Sequence, residues 1–369
     1  MNSTPLRIAL LGAGSIVRAH TEGMLRHPDL FRITAVCDTN VLAAERLAAE
    51  LGGGPVVHTD YVTMLDRQAG ELDAVLITLP HWLHFPVASA ALERGLSVLL
   101  EKPAVCSVSE FRELQRLEEK HGGIVQVGQN QRFGTEENLI KTWLASPAFG
   151  DPRLFNVDIY QNIEGYSANQ PEGWILDGKK AGGGIVISVA IHILDLLRYW
   201  FDDDFTEVHA LGRFDEPLIN GAESTVAATL RMGRGMLGTL NCSYAVKRCP
   251  YSQRSLIFGT HGTLYQHVEK PGGGYAGVYH TSTDGGKPSP QWGMMYEGFE
   301  PVIVPDGTEE NPLPPWKRPF EAQWLHFREA VLARKARENS LVRNFNTIAV
   351  IDALGRSLRS GRSETVEQS

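Results

Sequence analysis

The sequence predicts an α/β chain. A doubly wound parallel Rossmann sheet comes first, followed by an α+β domain with a large, mostly antiparallel sheet and helices. Three observations carry this expectation. Short apolar runs alternate with helix-like stretches through about residue 128. A glycine-rich turn, GAGSIV at 12–17, directly follows the first apolar run. Near 148–152 (AFGDP) this rhythm stops, and longer runs with period-two alternation begin. The expected division is a dinucleotide-binding domain at 1–128, a substrate and oligomerisation domain at 129–345, and a C-terminal helix at 346–369 that returns to the first domain.

Residues 8–11 are apolar throughout and read as a strand buried on both faces. In the turn that follows, Gly12 permits the sharp bend. Gly14 lets backbone approach a pyrophosphate resting on helix N–H groups. Val17 stands where a third glycine is common. A second strand, 31–37, ends at Asp38. A carboxylate there accepts from ribose hydroxyls and repels a 2′-phosphate. Thr39 and Asn40 follow with no arginine, which favours NAD over NADP. The same position also suits a turn aspartate capping the helix that starts at Val41. That helix, 41–51, is stopped by GGGP at 52–55. A short strand at 56–58 and a helix capped by Asp60 come next. Strands at 74–77, 97–100 and 124–127 then alternate with helices at 82–94 and from Ser107 or Ser109 to 120.

The run VLLEKP at 98–103 is the pivot. Pro103 has no N–H for a ladder, so the strand ends there. Glu101 and Lys102 then sit at the carboxyl tip, the edge where open α/β sheets bind ligands. A partly desolvated lysine beside a charge can trade a proton near neutral pH. A surface Glu–Lys pair flanking a turn fits these residues equally well.

In the second half, strands are expected at 153–160, 205–212, 225–232, 236–245, 252–258 and 263–267. Residues 271–290 read as a loop, 312–316 as a connector, and 320–338 and 346–360 as amphipathic helices. One face of the sheet is expected on a helix. The other is free to pair with another subunit, giving a homodimer or homotetramer. The run GGGIVISVAIHILD at 182–195 is an apolar helix entered through three glycines. Ser188, His192 and Asp195 fall at i, i+4 and i+7, on one α-helical face. Such a stripe either pairs internally or lines a cavity.

Taken in order, GAGSIVRAH, Asp38, TLPHWLH (78–84), EKPA (101–104) and VGQNQRF (127–133) resemble the Gfo/Idh/MocA family of sugar and polyol oxidoreductases. The resemblance implies an NAD-binding first domain in which Thr78 and Pro80 border the cofactor. Glu101 holds the nicotinamide ribose or amide, and Lys102 is catalytic. The cofactor set is then Gly12, Gly14, Ser15, Ile16, Asp38, Thr78, Pro80, His84, Glu101, Lys102 and Gln129. His84 and His20 also read as packed core histidines. His81 stands where the family more often has asparagine. His192 and Asp195 match the family's substrate helix, with His192 as the second acid–base group. Ser188 replaces an aspartate that assists proton transfer in several members. Trp174 matches a family tryptophan. Lys102, Arg132, Trp174, Ser188, His192, Asp195 and Tyr244 form the expected substrate set, with Tyr160 a further lining candidate.

The implied activity is NAD-dependent oxidation or reduction of a ring hydroxyl on a sugar, glycoside or cyclitol. One alternative is a redox-neutral NAD-dependent glycosidase, working by oxidation, elimination, addition and re-reduction as in NAD-dependent sulfoquinovosidases. A second is a non-catalytic nucleotide sensor. With 35 Lys and Arg against 43 Asp and Glu, the net charge of −8 argues against a nucleic-acid partner. No apolar run approaches the ~20 residues that span a bilayer, and the N-terminus lacks the order of a signal peptide. Cys37, Cys106, Cys242 and Cys249 lack CxxC spacing. This fits reduced thiols in a cytoplasmic protein and no metal site.

Overall fold

The computed structural model describes residues 4–247, 251–269, 275–281, 299–301, 313 and 316–369. Two compact units emerge. One holds residues 1–133 with 311–348 and 369; the other holds 134–310 with 349–368. The expected boundaries differ from this division. Residues 349–368 cluster with the second unit, because Glu364–Thr365 pairs with the strand at 205–213 and the Ser357 hydroxyl accepts from Ala210 N–H. The helix that completes the first unit is Arg318–Ala333.

The first unit is a six-stranded parallel sheet. Its strands are β1 (Leu6–Leu11), β2 (Phe31–Cys37), β3 (Val56–His58), β4 (Ala74–Ile77), β5 (Ser97–Glu101) and β6 (Val125–Gly128). The order is β3-β2-β1-β4-β5-β6, so the winding reverses between β1 and β4, the usual ligand crevice of such sheets. β4 and β5 are buried along their whole length, as strands covered on both faces must be. The core includes Ile8, Leu10, Met24, Phe31, Leu76 and Leu99, and also Trp324 and Phe327 from the far helix. Helix Val108–His121 starts at a Ser107 cap and ends at left-handed Gly122.

The second unit carries a nine-stranded sheet. Its strands are β7 (Pro152–Tyr160), β8 (Phe205–Arg213), β9 (Thr225–Met232), β10 (Leu237–Ser243), β11 (Ser252–Gly259), β12 (Thr263–Glu269), β13 (Tyr275–Thr281), β14 (Phe299–Pro301) and β15 (Glu364–Thr365). The order is β14-β13-β12-β11-β7-β10-β9-β8-β15. Every pairing is antiparallel except β7 with β10. Part of the expected loop at 271–290 is strand. β13 finds its backbone partners in β12, although the loop-like composition around it does not advertise a strand. Residues 282–290 of that loop, most of the 312–316 connector, and Cys249 lie outside the described residues.

Helical structure from Gly178 to Phe201 is long and apolar enough to cross a bilayer by length and composition, contrary to expectation. Its most apolar window is 72% buried within the fold, which is how a core helix behaves. The expected uniform α-helix is also interrupted. Residues Val186–Ala190 form a π-turn before the α-helix Ile191–Phe201. The wider turn replaces the 3.6-residue spacing at Val186–Ala190. Ser188 and Asp195 are 4% and 1% exposed, while His192 is half-buried.

Candidate functional site

In the first unit, the tips of β1, β2, β4 and β5 carry the predicted residues. Gly12 has φ +107, and a Cβ there would lie 2.6 Å from the Thr78 carbonyl oxygen. No other residue fits without moving β4. The Thr78 hydroxyl donates to Gly12 O at 3.1 Å, fastening this turn. Around Gly14 a Cβ would meet nothing. Gly14, Ser15 and Ile16 are exposed at the start of helix Val17–Leu25. No side chain caps that start, and its first turn holds no acid. This is an open cradle of backbone N–H groups suited to a pyrophosphate. Asp38 Oδ2 accepts Ala13 N–H at 2.7 Å, and Oδ1 accepts Asn40 N–H at 2.8 Å. The helix cap is Asn40, not Asp38. The Asp38 carboxylate thus stands beside the glycine turn, where a ribose acid is needed. These residues fit NAD.

At the tip of β5, Glu101 is 7% exposed. Its Oε1 lies 2.9 Å from His20 Nε2, and its Oε2 accepts Lys102 N–H at 3.0 Å. Burial pushes the Glu101 carboxyl up, but His20 and Lys102 outweigh it and hold it below the ordinary range. The half-buried Lys102 amine shifts the other way. Burial lowers its proton affinity, and the Glu101 charge restores part of it. The amine is therefore poised to exchange a proton at milder pH than a surface lysine.

Other predicted residues are differently employed. His84 is fully buried, with Nδ1 2.7 Å from Pro103 O and Nε2 2.7 Å from Leu79 O. It ties the ends of β4 and β5 together instead of presenting an edge to a ligand. Burial holds its pKa below the usual histidine value. His81 is 5% exposed, with its ring 5.7 Å from that of His84. Pro80, at the same tip, is half-buried. Gln129 is 2% exposed, and its carbonyl accepts from the Asn339 side chain. Arg132 is 4% exposed and pairs with Glu338 at 2.6 Å.

In the second unit, Ser188 and Tyr244 are brought together. Ser188 is 4% exposed and the Tyr244 phenol 2% exposed, and burial raises the phenol's pKa. Trp174 and Tyr160 are half-buried. Sequence reasoning missed Glu223. Its Oε1 accepts Val186 N–H at 3.1 Å, and its carbonyl accepts Ile185 N–H at 3.2 Å. A Cβ on Gly184 would lie 1.8 Å from the Glu223 carbonyl oxygen. The glycine run is what lets this carboxylate seat the π-turn. Burial raises the Glu223 pKa. Glu223 lies 37 residues from Val186, and no local signal links them.

A 3-2-1-4-5-6 sheet with a glycine cradle and an acid at the end of β2 defines a dinucleotide-dependent oxidoreductase. The family model described as "Oxidoreductase family, NAD-binding Rossmann fold" matches residues 6–129, and "GFO/IDH/MocA C-terminal domain" matches 138–265. The chain belongs to the Gfo/Idh/MocA family of NAD-dependent sugar and cyclitol oxidoreductases. It is 28% identical to the uncharacterized oxidoreductase YrbE of Bacillus subtilis, over 71% of this chain and 74% of that one. It is 29% identical to inositol 2-dehydrogenase 4 of Saccharopolyspora erythraea, over 68% and 71%. Its fold matches a levoglucosan dehydrogenase solved with NADH and levoglucosan, with TM-score 0.80, 20% identity, and 99% and 100% of the two chains covered.

Proposed function

We propose that this protein is an NAD-dependent dehydrogenase acting on a ring hydroxyl of a sugar, glycoside or cyclitol. The observation that carries this is the half-buried Lys102 amine, softened by burial and set beside an oriented Glu101 at the tip of β5. Relatives named for inositol and levoglucosan support the substrate class. NAD, when bound, takes or returns the hydride. Lys102, as the free amine, accepts the hydroxyl proton during oxidation and returns it during reduction. Glu101 keeps that amine in place through its charge. His192 is the second acid–base group, with a pKa in the useful range by residue type. Asp195 orients it or a neighbouring substrate hydroxyl.

The test is Lys102→Ala on a panel of inositols, anhydrosugars and glucosides. Turnover should fall by about 10³-fold or more while NAD titrates as in the parent. A variant that keeps parental kcat removes Lys102 from the mechanism. His192→Ala should cost about 10²-fold.

A second reading is favoured by Ser188, which brings no carboxylate to that position. In a redox-neutral glycosidase, transient oxidation labilises the adjacent proton and the aglycone leaves by elimination. Glycoside cleavage that requires NAD yet accumulates no NADH identifies this activity. Self-association through the second sheet belongs to the same proposal. Leu154 and Leu237, partners in register, are 38% and 46% exposed. Light scattering giving a monomer mass would exclude it.

A further inference from the structure

His20 has no role in the chemistry above, yet it is the side chain that grips Glu101. It lies on helix Val17–Leu25 and is fully buried. Its ring stands edge-on to Phe320 (centroids 4.8 Å, 78°) and Trp324 (6.1 Å, 85°). Nε2 is 2.9 Å from Glu101 Oε1. Nδ1 is buried and meets no hydrogen-bond partner among the described residues.

With a proton on Nε2 the ring donates to Glu101, and Nδ1 carries no N–H that would lack an acceptor. The other carboxylate oxygen takes the Lys102 amide. On the third side, a Cβ on Gly128 would lie 3.0 Å from both Cα and Oε1 of Glu101. The carboxylate is thus clamped by a ring, an amide and bare backbone.

We propose that His20 is the positioning residue of this site: as a hydrogen-bond donor it holds the Glu101 carboxylate oriented, leaving it to act on the Lys102 amine. Among the described residues, the titratable groups that bear on Glu101 and Lys102 include His20 and His84. Helix Arg318–Ala333 meets His20 with the rings of Phe320 and Trp324. The directions of shift agree: Glu101 is held low and restores part of the Lys102 proton affinity. The inference builds on Lys102 as the acid–base group, but its test does not require turnover.

The experiment is competitive acetylation of Lys102 in the full-length chain across pH, read by peptide mass spectrometry. It compares the parent, His20→Leu and His20→Gln. Leucine removes the donor, so the Glu101 carboxylate is no longer held beside the amine, and the Lys102 midpoint should fall by about one unit. Glutamine carries an amide N–H to the position of Nε2 and should restore the parental midpoint. A folded His20→Leu protein with the parental midpoint overturns the proposal, as does His20→Gln shifting as far as leucine. Should leucine prevent folding, His20→Asn, whose amide is too short to reach, is read against the same expectations. If the midpoint moves as expected while Lys102→Ala still turns over, His20 keeps its positioning role and the catalytic assignment of Lys102 fails.

Discussion

Glu118 shows how one side chain can tie stability to pH in this protein. It sits on helix Val108–His121, and its Oε1 accepts Val125 N–H at 2.7 Å, securing the start of β6. Burial pushes its carboxyl from 4.5 up to about 7. Between those values the native state keeps a proton that the unfolded chain has released. Stability from this group is therefore full below about pH 4.5 and is lost as pH rises toward 7. Glu118→Gln keeps an acceptor for Val125 and cannot ionise. Urea melts should show it more stable than the parent by about 1–2 kcal/mol at pH 8 and equal at pH 4.5. A parental difference that does not change with pH would remove Glu118 as the source. At this scale, what the sequence reveals depends on how locally a residue acts. Lys102 was recognisable because Pro103 must end its strand. The partner of Glu101 was not, because His20 lies 81 residues away and a buried histidine looks the same whether it packs or grips. The partner of Arg132 is hidden for the same reason, since Glu338 is 206 residues distant.

Among the elements, the substrate helix departs most from its sequence pattern. Three glycines and an apolar run announce a helix with a crowded entrance, and that much was legible. The π-turn at Val186–Ala190 was not, because the carboxylate that seats it arrives from Glu223. π-turns are rare in helices and concentrate at functional sites. Here the turn ends two residues before His192. Glu223 gives a signed test. Glu223→Ala strands the Val186 N–H and should cost about 1–3 kcal/mol in chemical denaturation. Glu223→Gln keeps the acceptor and sheds a buried charge, so above neutral pH it should match or exceed the parent. Equal losses from both variants would mean that the carboxylate holds something other than this turn.

Across the molecule, the NAD-binding unit is discontinuous, a feature that strand–helix counting over the first 128 residues cannot reveal. Its core is closed by Trp324 and Phe327, both fully buried against residues from β1, β2 and helix Val17–Leu25. The docking is tight: a Cβ on Gly23 would lie 2.9 Å from Glu321 Cα. Glu321 is shared by Arg26 and His27, and Lys317 pairs with Glu22. Stripping away two large aromatics uncovers apolar area worth about 3–5 kcal/mol each, a large part of what holds any domain of this size together. The same helix supplies the rings that confine His20, so losing it would also release Glu101. A fragment of residues 1–133, complete as a strand–helix pattern, should therefore be aggregation-prone and fail to bind NAD by calorimetry. Joining residues 311–348 to it through a flexible linker should restore binding. If the short fragment takes up NAD as the whole chain does, the distant helix is dispensable for the cofactor unit, and the confinement of His20 must come from the first 133 residues alone.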